Sequence, residues 1–213
     1  EIEQHSRNLE NLVELRTREI IKTQKSTVFA LSKLAETRDP ETGNHLERMR
    51  NYSVLLAQLL KYLGNHSEIT SQFLRDIYDS SILHDIGKVG IQDGILLKDG
   101  HLSQQEFEIM KTHTTIGYDA LMNASKDLGN DSYLKMGMDI TLYHHERWDG
   151  KGYPKGLSRE VIPLSARIVA IADVYDALTS RRPYKEAFTH EKSIELMKKE
   201  EGRFDPQLFR IFV

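Results

Sequence analysis

Apolar residues recur along this chain at helical spacing, and no stretch shows the alternation of a half-buried strand. Residues 1–38 read as one long helix without Gly or Pro, rich in Glu, Arg, Lys and Gln. Ile2, Leu9, Val13 and Ile20 give it an apolar stripe near heptad spacing, interrupted by Arg16. From Thr27 the stripe broadens through Val28, Leu31, Leu34 and Ala35, where the helix is expected to enter a globular core. Asp39-Pro40 marks a break, with Asp fit to cap and Pro fit for a first helical turn. A second stripe follows (Leu46, Met49, Ser53, Leu56, Leu60, Leu63) and is closed by Gly64-Asn65. The next helix is expected from about Glu68 to His84, with Ile77, Ser81 and His84 on one face. Residues 89–101 are loop and turn. Ser103-Gln104-Gln105-Glu106 is a capping box opening a helix with Phe107, Met110, His113 and Gly117 on one face. Leu134, Met138, Thr141 and His145 continue the pattern in another. Residues 147–163 carry Gly150, Gly152, Pro154, Gly156 and Pro163, a loop longer than a connection needs. A helix from about Ser165 to Leu178 holds Asp173 and Asp176 on one face, and two weaker helices occupy 190–200 and 206 onward. No internal repeat is found, and the fold expected is all-α, a helical bundle.

The length, 213 residues, allows one domain plus an appendage: a helical connector over 1–26 and a globular domain over 27–213. The connector reads either as a solvated helix or as a coiled coil that pairs two subunits and carries a signal from an upstream sensor or receiver domain. The first residue is Glu, so the chain is expected to be part of a longer protein. No apolar run is long enough to cross a bilayer and no signal-peptide pattern opens the chain. A net charge of −3 gives no reason to expect a nucleic-acid polymer as partner. The absence of cysteine excludes disulfides and thiolate sites, so any metal must be held by His, Asp and Glu. Against that background nine histidines stand out.

Five of them, with two acids, fall beside the apolar faces of different helices (His45, His84-Asp85, His113, His144-His145 and Asp173), and Glu41 brings the candidate ligands to eight. Buried imidazoles and carboxylates must be paired or metal-bound to offset desolvation, and few internal cations besides Lys88 and Arg182 are on offer. Eight candidate ligands are too many for one ion and suit two or three. Oxygen and imidazole ligands fit Fe, Mn, Ni, Co or Zn. Lys88 follows Asp85 by three residues and returns an ammonium to the same point, which suits a phosphate ester better than a carbonyl. His5, His66, His101 and His190 have no such setting and are assigned to the surface or to caps.

His84-Asp85-x-x-Lys88, His144-His145-Glu146-Arg147-Trp148-Asp149-Gly150-Lys151-Gly152-Tyr153-Pro154, Asp173-Val174-Tyr175-Asp176-Ala177-Leu178 and Arg182-Pro183-Tyr184 closely resemble the motifs of the HD-GYP family. These are bacterial cyclic-di-GMP phosphodiesterases, a branch of the HD metal-dependent phosphohydrolases. The resemblance runs from about Thr27 to the C-terminus, and Gly202-Arg203-Phe204-Asp205-Pro206 looks like the family's closing motif. It implies that His84, Asp85, His113, His144, His145 and Asp173 are metal ligands, Asp85 bridging, with His45 another. Glu41 matches the ligand of members with three metals. Lys88 resembles the residue that meets the scissile phosphate. Tyr153, Arg182 and Lys185 match positions that hold the nucleotide, Gly152 lies in the rim that the base and phosphate approach, and Asp176 is implied as a supporting partner or a base.

The activity implied is opening of cyclic di-GMP to linear pGpG, with GMP as a further product, using two or three divalent ions, foremost Fe or Mn. One alternative is a regulatory module whose Gly-Tyr-Pro loop recruits a diguanylate cyclase (GGDEF) domain. Another keeps the chemistry on a different cyclic dinucleotide, such as a mixed guanine–adenine one. A homodimer through the N-terminal helix and a cytoplasmic bacterial location are expected, any membrane tether belonging to an upstream region.

Overall fold

The computed structural model describes residues 1–38, 44–63, 66–128, 132–181, 186–200 and 202–213. Among them there is no strand, and no helix is long and apolar enough to cross a membrane. Helix α1 (Ile2–Glu36) is followed by α2 (His45–Leu63) and α3 (Ser71–Ser80). Two 3-10 segments, Ser81–Leu83 and Ile86–Gly90, lead to the short α4 (Asp93–Leu96). Then come α5 (Gln104–Lys111), α6 (His113–Leu128), α7 (Ser132–Tyr143), α8 (Leu164–Thr179), α9 (His190–Lys199) and α10 (Pro206–Phe212).

The main core is where α2, α3, α7 and α8 converge, with α9 and α10 closing one side. Met49, Leu56 and Leu60 of α2 meet Ile77 of α3, Ile140 of α7 and Ile168 and Ile171 of α8, all essentially buried. Leu63, which ends the second stripe, is exposed. A smaller cluster of Leu46, Ile82 and Leu83 receives Val28 and Phe29 and docks α1. The Arg50 guanidinium stacks over Phe29 and Tyr78 at 4.4 and 4.7 Å, and Lys25 meets Asp79 at 2.6 Å. Entry of α1 into the core differs from expectation: Ser32 and Ala35 face inward, while Leu31 and Leu34 are exposed. Periodicity marks an apolar face but does not say which neighbour covers it.

Two helix boundaries also shift. The segment expected as one helix over 68–84 begins at Ser71, capped by Thr70, whose hydroxyl accepts from the Phe73 amide at 3.1 Å. It ends at Ser80 and tightens into 3-10 geometry before His84. The run from Ser103 to Gly117 is two helices, broken at Thr112. There the Thr112 hydroxyl donates to Ile109 O at 2.6 Å and His113 Nδ1 donates to Met110 O at 2.8 Å, taking carbonyls that a continuing helix would use. The capping box at Ser103 and Glu106 forms in full.

Candidate metal centre

His84 and Asp85 lie in the turn between the two 3-10 segments, not on a continuous helix. The turn is seated against α6 because residue 87 is Gly: a Cβ there would fall 1.9 Å from His113 O and 2.6 Å from Gly117 N. This contact carries Asp85 to His113 and leaves Lys88 Nζ 2.7 Å from Asp85 Oδ2. His144 and His145 follow the last turn of α7, His45 opens α2, and Asp173 projects from the middle of α8.

Each buried imidazole is held by its Nδ1. His84 Nδ1 lies 2.8 Å from Ser81 O, His113 Nδ1 2.8 Å from Met110 O, and His144 Nδ1 3.0 Å from Ile140 O. A carbonyl can only accept, so these Nδ1 atoms carry the hydrogen and the Nε2 atoms present lone pairs. His45 Nδ1 likewise donates to Asp176 Oδ2 at 2.7 Å. The second Asp176 oxygen accepts from Arg48 Nε at 2.5 Å, and Arg48 Nη2 reaches Oδ2 at 3.0 Å. Although burial pulls the Asp176 carboxyl up, hydrogen bonds from His45 and Arg48 hold it below the usual carboxylate range. Both of its oxygens are engaged in supporting His45.

The lone pairs converge. His113 Nε2 and His144 Nε2 lie 3.3 and 3.5 Å from Asp85 Oδ1, and His84 Nε2 lies 3.5 Å from Asp85 Oδ2. His45 Nε2 and His84 Nε2 are 3.3 Å apart. Asp85 Oδ1, His113 Nε2 and His144 Nε2 are buried without a hydrogen-bond partner. Burial takes His84 down to about 4 and His145 well below the usual imidazole range, so both rings stay neutral. Burial raises the Asp85 carboxyl, but the Lys88 ammonium outweighs it and holds the group well below its ordinary value. Acceptors facing acceptors at these distances repel unless a cation lies among them. The described residues form two such groups, Asp85–His113–His144–His145 and His45–His84–Asp173, each with ligand atoms within 4.8 Å of one another. Asp85 turns one oxygen toward each group, so the donor set fits divalent metal with a shared carboxylate.

The rim is built on the 147–163 loop. Tyr153 lies against His145 with ring centroids 4.7 Å apart and edge-on to Phe107 at 6.0 Å. Burial pushes its phenol well up, so it stays protonated. Gly152 packs onto the chain, since a Cβ there would fall 2.4 Å from Arg147 N and Glu146 Cα. Glu146 is buried beneath the loop and accepts from the amides of Lys155 at 2.7 Å and Leu157 at 2.9 Å. The closing motif pins the other side: Trp148 N donates to Arg203 O at 3.0 Å and Asp149 N to Gly202 O at 2.8 Å.

The structure therefore brings together His45, His84, Asp85, Lys88, His113, His144, His145, Asp173, Gly152 and Tyr153, with Asp176 behind His45. Glu41, Arg182 and Lys185 lie outside the described residues. Sequence reasoning missed Arg48, which supplies the internal cation for Asp176, and Glu146 as the anchor of the loop. Arg48 sits three residues after His45 on the same helix face, a signal that was available. Of the histidines set aside, His66 pairs with Glu68 and His190 opens α9 beside Tyr175.

Comparison with known proteins agrees with this geometry. The family profile described as the HD domain matches residues 9–208. The chain belongs to the HD domain family, and its motifs are those of the HD-GYP branch. It is 45% identical over 197 residues to a cyclic di-GMP phosphodiesterase of Vibrio cholerae, covering 92% of this chain and 40% of that protein. It is 37% identical over 207 residues to a 3'3'-cGAMP-specific phosphodiesterase of the same organism, covering 97% of this chain and 36% of that one. The chain thus spans about two fifths of the length of these relatives. The fold matches the crystal structure of a cyclic GMP-AMP-specific phosphodiesterase of V. cholerae with a TM-score of 0.63 at 18% identity, over 88% of this chain and 47% of that one.

Proposed function

We propose that this domain hydrolyses cyclic di-GMP to linear pGpG, and onward to GMP, in bacterial signal transduction. The observation that carries the reading is Asp85, flanked by two histidine-rich groups with Lys88 at its side. His113, His144 and His145 would hold one ion and His45, His84 and Asp173 another, with Asp85 shared and Glu41 serving a third. Fe or Mn is our assignment; Ni, Co and Zn suit the same donors. Bound there, divalent ions supply an activated water and positive charge against the phosphoryl oxygens. Lys88 adds an ammonium for the charge that develops on the phosphate. Asp176, itself steadied by Arg48, orients His45. Tyr153 and Gly152 form the edge against which a guanine base stacks and a phosphate approaches the backbone, and Arg182 and Lys185 grip the remaining phosphate. We assign residues 1–26 as a connector that pairs two subunits.

A second substrate, 3'3'-cGAMP, is favoured by the relative named for it. Product analysis decides: the purified, metal-analysed protein is reloaded anaerobically with Fe or Mn and mixed with each dinucleotide. Formation of pGpG that depends on loading is the expected result. A higher kcat/KM on cGAMP would move the substrate, and no hydrolysis of either by loaded protein would leave the Gly-Tyr-Pro loop as a docking element for a GGDEF domain.

A further inference from the structure

Behind the His45–His84 side of the centre lies a cavity of about 20 Å³ whose lining includes Ser32, Glu36, His45, His84, Asp85 and Lys88. A space of that size holds one water or one ion. Helix α1 reaches it from the outside, through Glu36 in its final turn. The Glu36 side chain is 9% exposed. Its Oε2 accepts from Lys33 Nζ at 2.9 Å, whereas Oε1 is buried with no hydrogen-bond partner, as is Ser32 Oγ one turn earlier. The same cavity is lined by His45 and His84, whose Nε2 atoms are 3.3 Å apart, and by Asp85. Lys88 is the ammonium in the lining, and it already meets Asp85. A carboxylate oxygen, two imidazole lone pairs and a second carboxylate around room for a single atom are an excess of acceptors. Buried acceptors in excess call for a cation or for a water polarised by one.

We propose that Glu36 belongs to the metal centre, its Oε1 anchoring a divalent cation on the His45–His84 side, directly or through a water of that ion. This rests on the metal-centre reading above and adds a residue from α1, outside every motif of the family resemblance. It also links two properties of the chain. Because Glu36 closes α1, occupancy of the site and docking of the last turn of α1 stabilise one another, a coupling that runs equally in both directions.

The test uses the full chain, stripped of metal and titrated with Mn2+, with free ion followed by electron paramagnetic resonance and melting recorded alongside. Glu36→Gln keeps the shape and removes the charge; Lys33→Ala removes the neighbouring ammonium and keeps the carboxylate. Glu36→Gln is expected to weaken one class of Mn2+ site by about 10- to 100-fold, the usual effect of losing a supporting group. It should also shrink the Mn2+-dependent rise in Tm, while Lys33→Ala leaves both near wild type. The number of exchangeable waters on bound Mn2+ then separates the two modes: one more in Glu36→Gln marks direct ligation, an equal number marks a bridging water. Wild-type affinity in Glu36→Gln, or an equal loss in Lys33→Ala, overturns this inference alone; no Mn2+ binding by wild type overturns the metal centre with it. Hydrogen exchange of the wild-type chain gives an answer without any variant. Amides of residues 32–36 should gain protection when Mn2+ is added, and an unchanged rate overturns the proposal.

Discussion

Imidazole 84 shows how much one residue is asked to do. Its Nδ1 is tied to Ser81 O, burial keeps it neutral, and its Nε2 faces both His45 and Asp85. His84→Ala or Asp85→Ala should therefore remove bound metal and hydrolysis together, with helical content close to wild type; metal analysis and circular dichroism check both halves. Lys88 and Tyr153 should separate chemistry from grip. An ammonium beside Asp85 gains strength as charge develops on the phosphate, so Lys88→Ala should chiefly lower kcat. An aromatic ring on the rim serves ground and transition states alike, so Tyr153→Ala should chiefly raise KM. Steady-state kinetics at saturating metal reads the split. At this scale the candidate ligands that the structure gathers were legible in the sequence because His and Asp on apolar helix faces are costly unless something pairs with them. Arg48 left only its i,i+3 spacing from His45 as a signal, and Glu146 and Glu36 left none, because acidic residues are common on helices and in loops. Only the fold shows Arg48 meeting Asp176, Glu146 buried beneath its own loop and Glu36 Oε1 turned into the interior.

Helix positions were legible from the 3.6-residue period, and helix ends were not. The breaks at Ser80 and Thr112 arise where side chains of Thr112, His84 and His113 take backbone carbonyls, a competition that periodicity does not register. Contact between elements is equally local: the 3-10 segment Ile86–Gly90 sits on α6 through Gly87. Gly87→Ala should force Asp85 away from His113 and destabilise the fold by about 3 kcal/mol, the upper range for overpacking. Urea denaturation measures the loss, and Mn2+ titration should show weakened binding in the same variant. The capping box of α5 gives a pH signature. Hydrogen bonds from Lys98, at 2.7 and 2.6 Å, and from Ser103 take Glu106 down to about 2 from an ordinary 4.5. A carboxyl lowered on folding stabilises the folded state above its unfolded value, and that contribution is lost as pH falls from about 4.5 toward 2. Protection of the first turn of α5 against hydrogen exchange should fall across that window, and Glu106→Gln should lose the dependence.

At the scale of the whole molecule, α1 is the part that the domain does not cover. Thirty-five residues make a helix about 52 Å long at 1.5 Å per residue. Packing on the core begins only near Lys25, Val28 and Phe29. Before that point Ile2, Leu9, Val13 and Ile20 stand exposed, and the same face continues to the exposed Leu31 and Leu34. Residues 2, 9, 13 and 20 are spaced by seven, four and seven, which places them on one heptad seam, with Arg16 in the seam held by Glu19 of its own helix at 2.7 Å. An apolar stripe of that length left in water loses the stabilisation that a partner helix would give, about 25 cal/mol for each Å² covered. The chain should therefore be a dimer, and deletion of residues 1–26 should weaken association while leaving hydrolysis in place, because the clamp at Val28, Phe29 and Arg50 survives the cut. Light scattering of both forms across a concentration series, with turnover measured on the same samples, tests it. A full chain that stays monomeric at high concentration would make α1 a solvated arm, and hydrolysis lost with the deletion would instead make the connector part of the enzyme.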